Sequence, residues 1–195
     1  MPTDAEIVRA SLEEPAAFGE IFERHYDAIA RFARRRAGED VGEEIAARTF
    51  LIAFEKRDRF ELTATSARPW LYGIATNLCR HHLRDERTHL TALGRLLDPD
   101  VGIGLDEDLD RWDAVRMGPV LARAIGELTR RDRDAFLLNV LADLSYAEVG
   151  EALGIPVGTV RSRIHRARQG LRERLAAERG IASETQRRPE RPNDG

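Results

Sequence analysis

The sequence predicts an all-α fold of two small helical domains joined by an acidic, flexible linker. Almost every periodic segment repeats its apolar residues at helical spacing, and no alternating or β-branched run is typical of a strand. Charged residues make up 33% of the 195 residues, above the roughly 25% of an average soluble domain. This composition favours small helical units with long charged faces over one large enzyme core.

The first domain is expected over residues 1–90, and its first two helices have clear end signals. Thr3 and Glu6 have the spacing of a capping box, which predicts a short first helix. Pro15 suits the first turn of a longer second helix, and Gly38 is its predicted stop.

Two more helices complete the first domain. A third helix is expected over about 41–57, and a fourth opens at Pro69 after the turn-rich loop RFELTATSA. The apolar residues expected to face inward on the second, third and fourth helices are Phe18, Phe22, Tyr26, Ile29, Ala33, Ile45, Leu51, Ile52, Phe54, Leu71, Ile74, Ala75 and Leu78.

Helical periodicity fails over 91–117, which is the predicted linker. From Arg95 to Asp113 there are seven acidic residues against two arginines. The second domain is expected over 118–178, with helices near 119–127, 132–142, 145–153 and 157–177. The last stretch, 179–195, has little apolar content and predicts a disordered tail.

Several classes of protein are disfavoured by features that the sequence lacks. The single cysteine, Cys79, excludes an internal disulfide and fits a reducing cytosol. The N-terminus has no apolar signal-peptide region, and nowhere do eighteen apolar residues run together. No G-x-x-x-x-G-K-[ST] loop is present for nucleotide hydrolysis. We therefore expect a cytoplasmic protein that does not insert into membranes, and the absence of the phosphate loop agrees with a protein that is not an enzyme and needs no cofactor.

The stretch GIPVGTVRSRIHRARQGLRERL, at 154–175, concentrates positive charge. From Val157 to Arg174 there are six arginines against one glutamate, although the whole chain has a net charge of −3. Ser145 and Glu148 predict a capped helix just before it, and Gly-Ile-Pro predicts a tight turn between the two helices. A short helix, a turn and a second helix in this order form a helix-turn-helix.

A helical projection separates an apolar face of this second helix from a polar one. Ser162, His165 and Arg166 lie almost opposite the apolar residues, where their donors could meet base edges in the major groove. The alternative is an ordinary solvated helix, which would normally mix in glutamates at i,i+4 spacing, and Glu173 is alone here. The apolar residues are Val160, Ile164, Ala167, Leu171 and Leu175, with Gln169 on the polar face and Arg161 and Arg172 on its flank.

These segments resemble a known family. LSYAEVGEALGIPVGTVRSRIHRARQGLRERL is similar to the fourth domain of extracytoplasmic-function (ECF) sigma factors, which direct bacterial RNA polymerase to promoters. FGEIFERHYDAIARFARRR, the helix ending in TFLIAFEKRDRF, and ARPWLYGIATNLCRHHLRDER resemble their second domain. The resemblance covers about 15–90 and 119–176 in the family's order. It therefore implies sigma domain two at 1–90 and sigma domain four at 118–178.

The resemblance implies two DNA-binding surfaces. Domain four would read the minus-thirty-five element through Thr159, Arg161, Ser162, Arg163, His165 and Arg166. Domain two would open the minus-ten element and hold its non-template strand through Arg59, Phe60, Asn77, Arg80 and Arg84. The loop from Arg59 to Ala67 would cradle an extruded base. A solvated surface stays an alternative for Asn77 and Arg80, and core packing is favoured for Trp70.

The resemblance also implies protein partners. Core RNA polymerase would bind the third helix through a coiled coil of its largest subunit, and domain four through the flap of the second-largest subunit. The residues expected to make the coiled-coil contact are Glu43, Glu44, Arg48 and Phe50. Relatives commonly carry a glutamine and an acid where this chain has Ala47 and Arg48. Many relatives are held inactive by an anti-sigma factor, which makes such a protein a possible third partner.

Two other hypotheses compete with this one. His81, Asp85 and His89 stand four residues apart, as a two-histidine, one-carboxylate metal site on one helical face requires, with Cys79 nearby. The positive charges of Arg84 and Arg87 in the same helix oppose a cation. The second alternative is a helix-turn-helix regulator that binds duplex DNA alone, as a dimer with half-sites one helical turn apart.

Overall fold

The structure is a computed structural model that describes residues 1–60, 66–97 and 119–186 and, within these, the side chains of 1–60, 66–84 and 121–176. Over these ranges every regular element is helical, as predicted. The N-terminal domain contains α1 (Asp4–Glu13), α2 (Gly19–Ala37), α3 (Glu39–Glu55) and α4 (Arg68–Leu97), with short 3₁₀ turns at Pro15–Phe18 and Arg57–Arg59. The C-terminal domain contains α5 (Pro119–Gly126), α6 (Arg130–Leu141), α7 (Tyr146–Leu153) and α8 (Val157–Gln186).

Helices α2 and α3 form the closest-packed pair of the N-terminal domain. Gly38 joins them with a φ of 83°, in the left-handed region that glycine adopts without strain. Four residues later, a Cβ at Gly42 would lie only 2.4 Å from the Cα of Arg34, so the backbones of the two helices almost touch. The predicted capping box of Thr3 and Glu6 and the predicted stop at Gly38 are both confirmed.

The helix-turn-helix of the C-terminal domain begins and ends as its sequence predicts. Ser145 and Glu148 form the capping box of α7, which confirms that prediction. Gly154 ends α7 in the left-handed conformation, with a φ of 63°. The N–H of Ile155 donates to the carbonyl of Gly150 at 2.9 Å, and α8 starts two residues further on. The turn therefore sets α8 against α7 with its backbone groups satisfied.

The two domains pack against each other through a shared apolar core. Leu71 of α4, Leu138 of α6 and Val149 of α7 are all buried in one continuous cluster. At this contact a Cβ on Gly73 would lie 2.6 Å from the carbonyl oxygen of Ala152, so the absence of a side chain lets α4 approach the end of α7. The sequence alone left the relative placement of the domains open.

Two helices extend further than their apolar pattern predicts. Helix α4 continues to Leu97, past the predicted domain end at residue 90 and into the predicted linker. Helix α8 continues to Gln186, which corrects the expected disorder over 179–186. The α4 extension, TALGRLL at 91–97, is rich in leucine, which has a high helix propensity, whereas the α8 extension, RGIASETQ at 179–186, includes glycine, serine and threonine, so propensity does not explain it. The remainder of the predicted linker, tail and base-cradling loop falls at 98–118, 187–195 and 61–65, outside the described residues.

Three local predictions also need correction. Pro15 opens a 3₁₀ turn instead of the second α-helix, which starts at Gly19. Phe22 and Leu51, which were expected to face inward, are 42% and 57% exposed. Their positions repeat at helical spacing, but Phe22 is only partly covered, by the rings of Tyr26 and of Phe50 on α3, and more than half of Leu51 is exposed. Within the described residues, no helix has both the length and the apolarity that a membrane span requires.

Candidate nucleic-acid interface

Helix α8 presents its polar face to solvent, as the projection predicts. Val160, Ile164, Ala167 and Leu171 are buried, and Leu175 is half-buried. The opposite face exposes Arg161, Ser162, His165 and Arg166, whereas Thr159 and Arg163 are half-buried at its margin. Of the minus-thirty-five candidates, four are therefore available to a DNA groove without any movement of the helix.

Arg166 is held in place by an acid from α6. Its Nη2 donates to Oδ1 of Asp132 at 2.8 Å, and its Nε donates to Oδ2 at 3.3 Å. Burial works to raise the pKa of Asp132, but hydrogen bonds from Arg166 and Thr129 outweigh it and hold that pKa below its usual value. The carboxylate therefore stays ionised and orients the guanidinium at the edge of the polar face.

Three of the minus-ten candidates lie along one side of α4. Asn77, Arg80 and Arg84 follow one another at helical spacing, with Asn77 and Arg84 exposed and Arg80 half-buried. Arg80 donates from Nη1 to Oδ1 of Asn77 at 2.9 Å and from Nε to Oδ2 of Asp134 at 2.7 Å. The acceptor Asp134 belongs to α6 in the other domain.

The other two minus-ten candidates flank the loop before α4. Arg59 is exposed, whereas Phe60 is only 6% exposed and packs on Trp70, with 5.0 Å between their ring centroids. Phe60 thus contributes to the core in this conformation. The half-buried Trp70 packs against the same apolar cluster, which agrees with the core packing favoured for it.

The end of this loop is fastened to α1 by Asp4. The Asp4 carboxylate is buried and accepts hydrogen bonds from the N–H of Ala67 at 2.8 Å, Nε2 of His25 at 2.8 Å and Nη1 of Arg24 at 3.1 Å. Burial works to raise its pKa, but the bonds from His25 and Ala67 overcome that effect and hold the pKa of Asp4 well below its usual value. The first helix thereby fixes the start of α4.

The polymerase-binding candidates on α3 differ in how far their side chains are exposed. Glu44 and Arg48 are exposed, together with Ala47. Glu43 is half-buried and accepts hydrogen bonds from Tyr26 Oη and Arg34 Nε, each at 2.7 Å, and these bonds lower its pKa. Phe50 is 4% exposed and belongs to the core.

Two residues of interest were missed when the sequence was read alone. Leu51 lies three residues after Arg48 and seven after Glu44, so it extends their exposed face with apolar surface. That spacing was a signal that could have identified it. Asp134 had no local signal, because its partners Arg36 and Arg80 lie 98 and 54 residues away.

The alternative metal site receives no support from the side chains that the structure describes. Among them, no three histidine, cysteine, aspartate or glutamate residues are grouped closely enough to hold a metal ion. His81 is exposed and its Nδ1 lies 2.9 Å from Nη2 of Arg84. The side chains of Asp85 and His89, the other two members of the trio, lie outside the described set.

Family models match both halves of the chain. Residues 21–89 match "Sigma-70 region 2", and residues 120–171 match "Sigma-70, region 4". The first range covers α3 and most of α2 and α4 but not α1, and the second covers nearly all of α5, then α6, α7 and the first half of α8. The two DNA-binding candidates therefore lie one in each matched region.

Curated relatives match over most of the chain. The ECF RNA polymerase sigma factor SigE of Mycolicibacterium smegmatis is 32% identical over 179 residues, covering 90% of this chain and 68% of SigE. The ECF sigma factor SigW of Bacillus subtilis is 30% identical over 172 residues, covering 82% of this chain and 89% of SigW. SigC of Mycobacterium tuberculosis is 37% identical over 139 residues, covering 68% of this chain and 70% of SigC.

Solved structures show the same helical architecture. CnrH, in complex with the cytosolic domain of CnrY, is 26% identical with a TM-score of 0.63, covering 89% of this chain and 97% of CnrH. The sigma factor RpoE of Bartonella quintana, in complex with the anti-sigma factor NepR, shares the fold at 23% identity, with a TM-score of 0.59 and coverage of 83% and 98%. With both sigma regions present in order, the chain belongs to the ECF RNA polymerase sigma factors of the sigma-70 family, non-enzymatic proteins that bind core polymerase and direct its recognition of promoters.

Proposed function

We propose that the C-terminal domain reads the minus-thirty-five element with the polar face of α8. The observation that carries this assignment is the exposure of Arg161, Ser162 and His165 along one side of a helix whose other side is buried. Arginine can bind O6 and N7 of guanine at once, while serine and histidine can meet other base edges or phosphates. Thr159 and Arg163, at the margin of the face, would contact the phosphate backbone.

The N-terminal domain, in this proposal, opens the minus-ten element and holds the non-template strand. Asn77, Arg80 and Arg84 supply hydrogen-bond donors along α4, and Arg59 adds a positive charge beside the loop. Unstacking a base pair costs a few kcal/mol, which a base pocket and a positively charged surface can offset. Phe60 supports the loop through its packing on Trp70.

The proposed contact with the largest polymerase subunit is the exposed face of α3. Glu44, Arg48 and Leu51 lie on this face and provide both signs of charge and an apolar surface. Glu43 and Phe50 act indirectly, because Glu43 is engaged by Arg34 and Phe50 is buried. The flap of the second-largest subunit is the proposed contact of the C-terminal domain, and the cytoplasm, where polymerase works, is the proposed location.

An anti-sigma factor is a further proposed partner, because many members of the family are held inactive by one. A tagged copy of this chain should recover such a protein from the source organism when polymerase is removed by prior depletion. Recovery of no specific protein under inducing and non-inducing conditions would contradict this part of the proposal. The assignment of the DNA-binding surfaces does not depend on it.

Reconstituted run-off transcription tests the proposed function. The chain is mixed with core RNA polymerase and with promoter fragments from its own genome, and defined transcripts are expected only when both proteins are present. Arg161→Ala should reduce these transcripts, whereas Arg172→Ala, a change of the same size and charge late in the same helix, should leave them nearly unchanged.

The alternative hypothesis, a helix-turn-helix regulator that binds DNA alone, predicts the opposite result. It would protect two half-sites on duplex DNA without polymerase, spaced by one helical turn. If the chain leaves such a footprint unaided and starts no transcript with core enzyme, the promoter-opening role proposed here is wrong.

A further inference from the structure

Asp134 joins two arginines of the N-terminal domain across the domain boundary. Its Oδ1 accepts from Nη2 of Arg36 at 2.6 Å, and its Oδ2 accepts from Nε of Arg80 at 2.7 Å. Asp134 and Arg36 are 1% and 2% exposed. Each oxygen of the Asp134 carboxylate thus accepts a hydrogen bond from a different guanidinium group, in a site that is almost closed to solvent.

This arrangement has the chemistry of a phosphate site. Like a carboxylate, a phosphodiester presents two oxygens that share one negative charge, and two converging guanidinium groups are a common way to bind them. Arg36 and Arg80 come from different helices, α2 and α4, so the N-terminal domain itself brings the two positive charges together. Asp134 is supplied by the other domain.

Arg36 is incompletely satisfied in this position. Its Nε and Nη1 are buried and have no hydrogen-bond partner among the described residues. A buried ion pair gains little free energy over a well-packed apolar contact, and unpaired N–H groups add a penalty. The pairing with Asp134 is therefore a poor device for stability alone, and a phosphodiester, which adds two bridging ester oxygens to its two non-bridging ones, offers acceptors for these N–H groups that a carboxylate lacks.

The site continues the surface proposed to face DNA. Gly73, Asn77, Arg80 and Arg84 fall at i, i+4, i+7 and i+11 on α4, which places them on one stripe of the helix. The C-terminal domain covers this stripe at two points, through Ala152 at Gly73 and through Asp134 at Arg80. DNA and the C-terminal domain cannot both occupy it.

We propose that Arg36 and Arg80 form a binding site for a DNA backbone phosphate, and that Asp134 fills this site in the free chain. The proposal rests on the assignment of α4 as the minus-ten surface. When the domains separate on polymerase, the carboxylate leaves and the phosphate takes its place. In the free chain the same contact keeps the N-terminal domain from binding nucleic acid.

The experiment opens the contact in two independent ways. Gly73→Ala keeps every charge but places a Cβ against the Ala152 carbonyl, and its control is Gly19→Ala, where a Cβ would meet no atom within 4 Å. Asp134→Asn removes the carboxylate, and its control is Asp143→Asn, which makes the same change of charge at an exposed position of the same domain. Asparagine also tolerates the φ of 52° at residue 143.

Two measurements are made on each full-length variant. Small-angle X-ray scattering gives the radius of gyration, and fluorescence anisotropy gives the Kd for a fluorescein-labelled 20-nucleotide single-stranded DNA of mixed sequence. Gly73→Ala and Asp134→Asn should increase the radius of gyration and lower the Kd at least about threefold. The slope of log Kd against log salt concentration should also steepen by about the value that one phosphate contact contributes. The two controls should match the wild type. Adding Arg36→Gln to Gly73→Ala should return the Kd to its wild-type value.

The proposal is overturned if Gly73→Ala and Asp134→Asn expand the chain without tighter DNA binding, or if neither variant changes the radius or the Kd. It is also overturned if Asp143→Asn lowers the Kd as much as Asp134→Asn, because net charge would then explain the effect. Neither measurement uses polymerase, so a failure of run-off transcription would count against the proposed function and leave this result to be judged separately.

Discussion

Arg166 of the recognition helix and Asp132 of α6 form a two-point contact, with donor–acceptor distances of 2.8 and 3.3 Å. Asp132 lies near the N-terminus of α6, where Thr129 caps the helix through the N–H of Asp132. The same acid therefore connects the start of α6 to α8. This leaves Arg166 exposed but restrained.

We expect Arg166→Ala to weaken binding of the minus-thirty-five element about 10- to 100-fold in the polymerase holoenzyme, because a bidentate base contact would be lost. Discrimination at one base position should relax at the same time. Competition binding with a panel of single-base promoter variants measures both effects, with Arg172→Ala as the matched control. An equal loss on every sequence would instead identify Arg166 as a phosphate contact.

The exposed pair Ala47 and Arg48 gives a prediction for the polymerase interface. Replacing them by the glutamine and glutamate that relatives commonly carry should leave the affinity for core polymerase unchanged or improve it. Both side chains lie at the surface of α3, so the change should not disturb the fold. Titration of labelled chain with core enzyme measures the Kd. A large loss of affinity would show that Arg48 makes a contact that the acid of the relatives cannot replace.

Asp4 should contribute stability that depends on pH. Asp4→Asn should lower the free energy of unfolding at pH 7 by about 1–3 kcal/mol, because a buried charged acceptor of several hydrogen bonds is lost. Asp27→Asn, at an exposed position of α2, is the control.

The pH dependence has a defined sign. The pKa of Asp4 is lowered on folding from an unfolded value of 3.8, so its contribution is present above that pH and declines as the pH falls through the lower folded value. Urea unfolding at several pH values should therefore show the difference between wild type and Asp4→Asn narrowing below about pH 4. A difference that stays constant down to pH 3 would argue against this role of the carboxylate.

Gly42 tests how closely α2 and α3 approach. Gly42→Ala places a Cβ 2.4 Å from the Cα of Arg34, and neither backbone can turn away as a flexible side chain could. The strain should lower stability by about 1–3 kcal/mol, more than the roughly 1 kcal/mol that alanine gains from helix propensity. Gly19→Ala, in open space, should be neutral or stabilising. Equal thermal midpoints for the two variants would show that the helices adjust without strain.

Much of this architecture could be predicted from local sequence. The capping boxes at Thr3 and Ser145, the stop at Gly38 and the apolar face of α8 all depend on residues within a few positions of one another. Periodicity alone was less reliable where it named an inward face, because Phe22 and Leu51 have the right spacing but lie at the edge of the packed helices and stay 42% and 57% exposed. It also placed the end of α8 too early, because the helix continues to Gln186, past the last residue of the apolar pattern.

The candidate sites divide in the same way. The arginines on the polar face of α8 were identified from helical geometry, and the residues of α4 from the family resemblance. Neither source could predict whether each side chain is exposed, buried or already paired. Phe60 and Phe50 were expected at interfaces and are buried, while Glu43 is already engaged by Arg34 and Tyr26.

The sequence by itself determined that this chain is a two-domain helical protein with a helix-turn-helix, because caps, turns and apolar spacing act over a few residues. It also carried the two motifs that place the chain among ECF sigma factors. Only the tertiary structure decided how the domains pack together and that Asp134 pairs with Arg36 and Arg80. The two arginines lie 98 and 54 residues before Asp134 in the chain. Contacts over such separations depend on how the helices pack and not on local spacing.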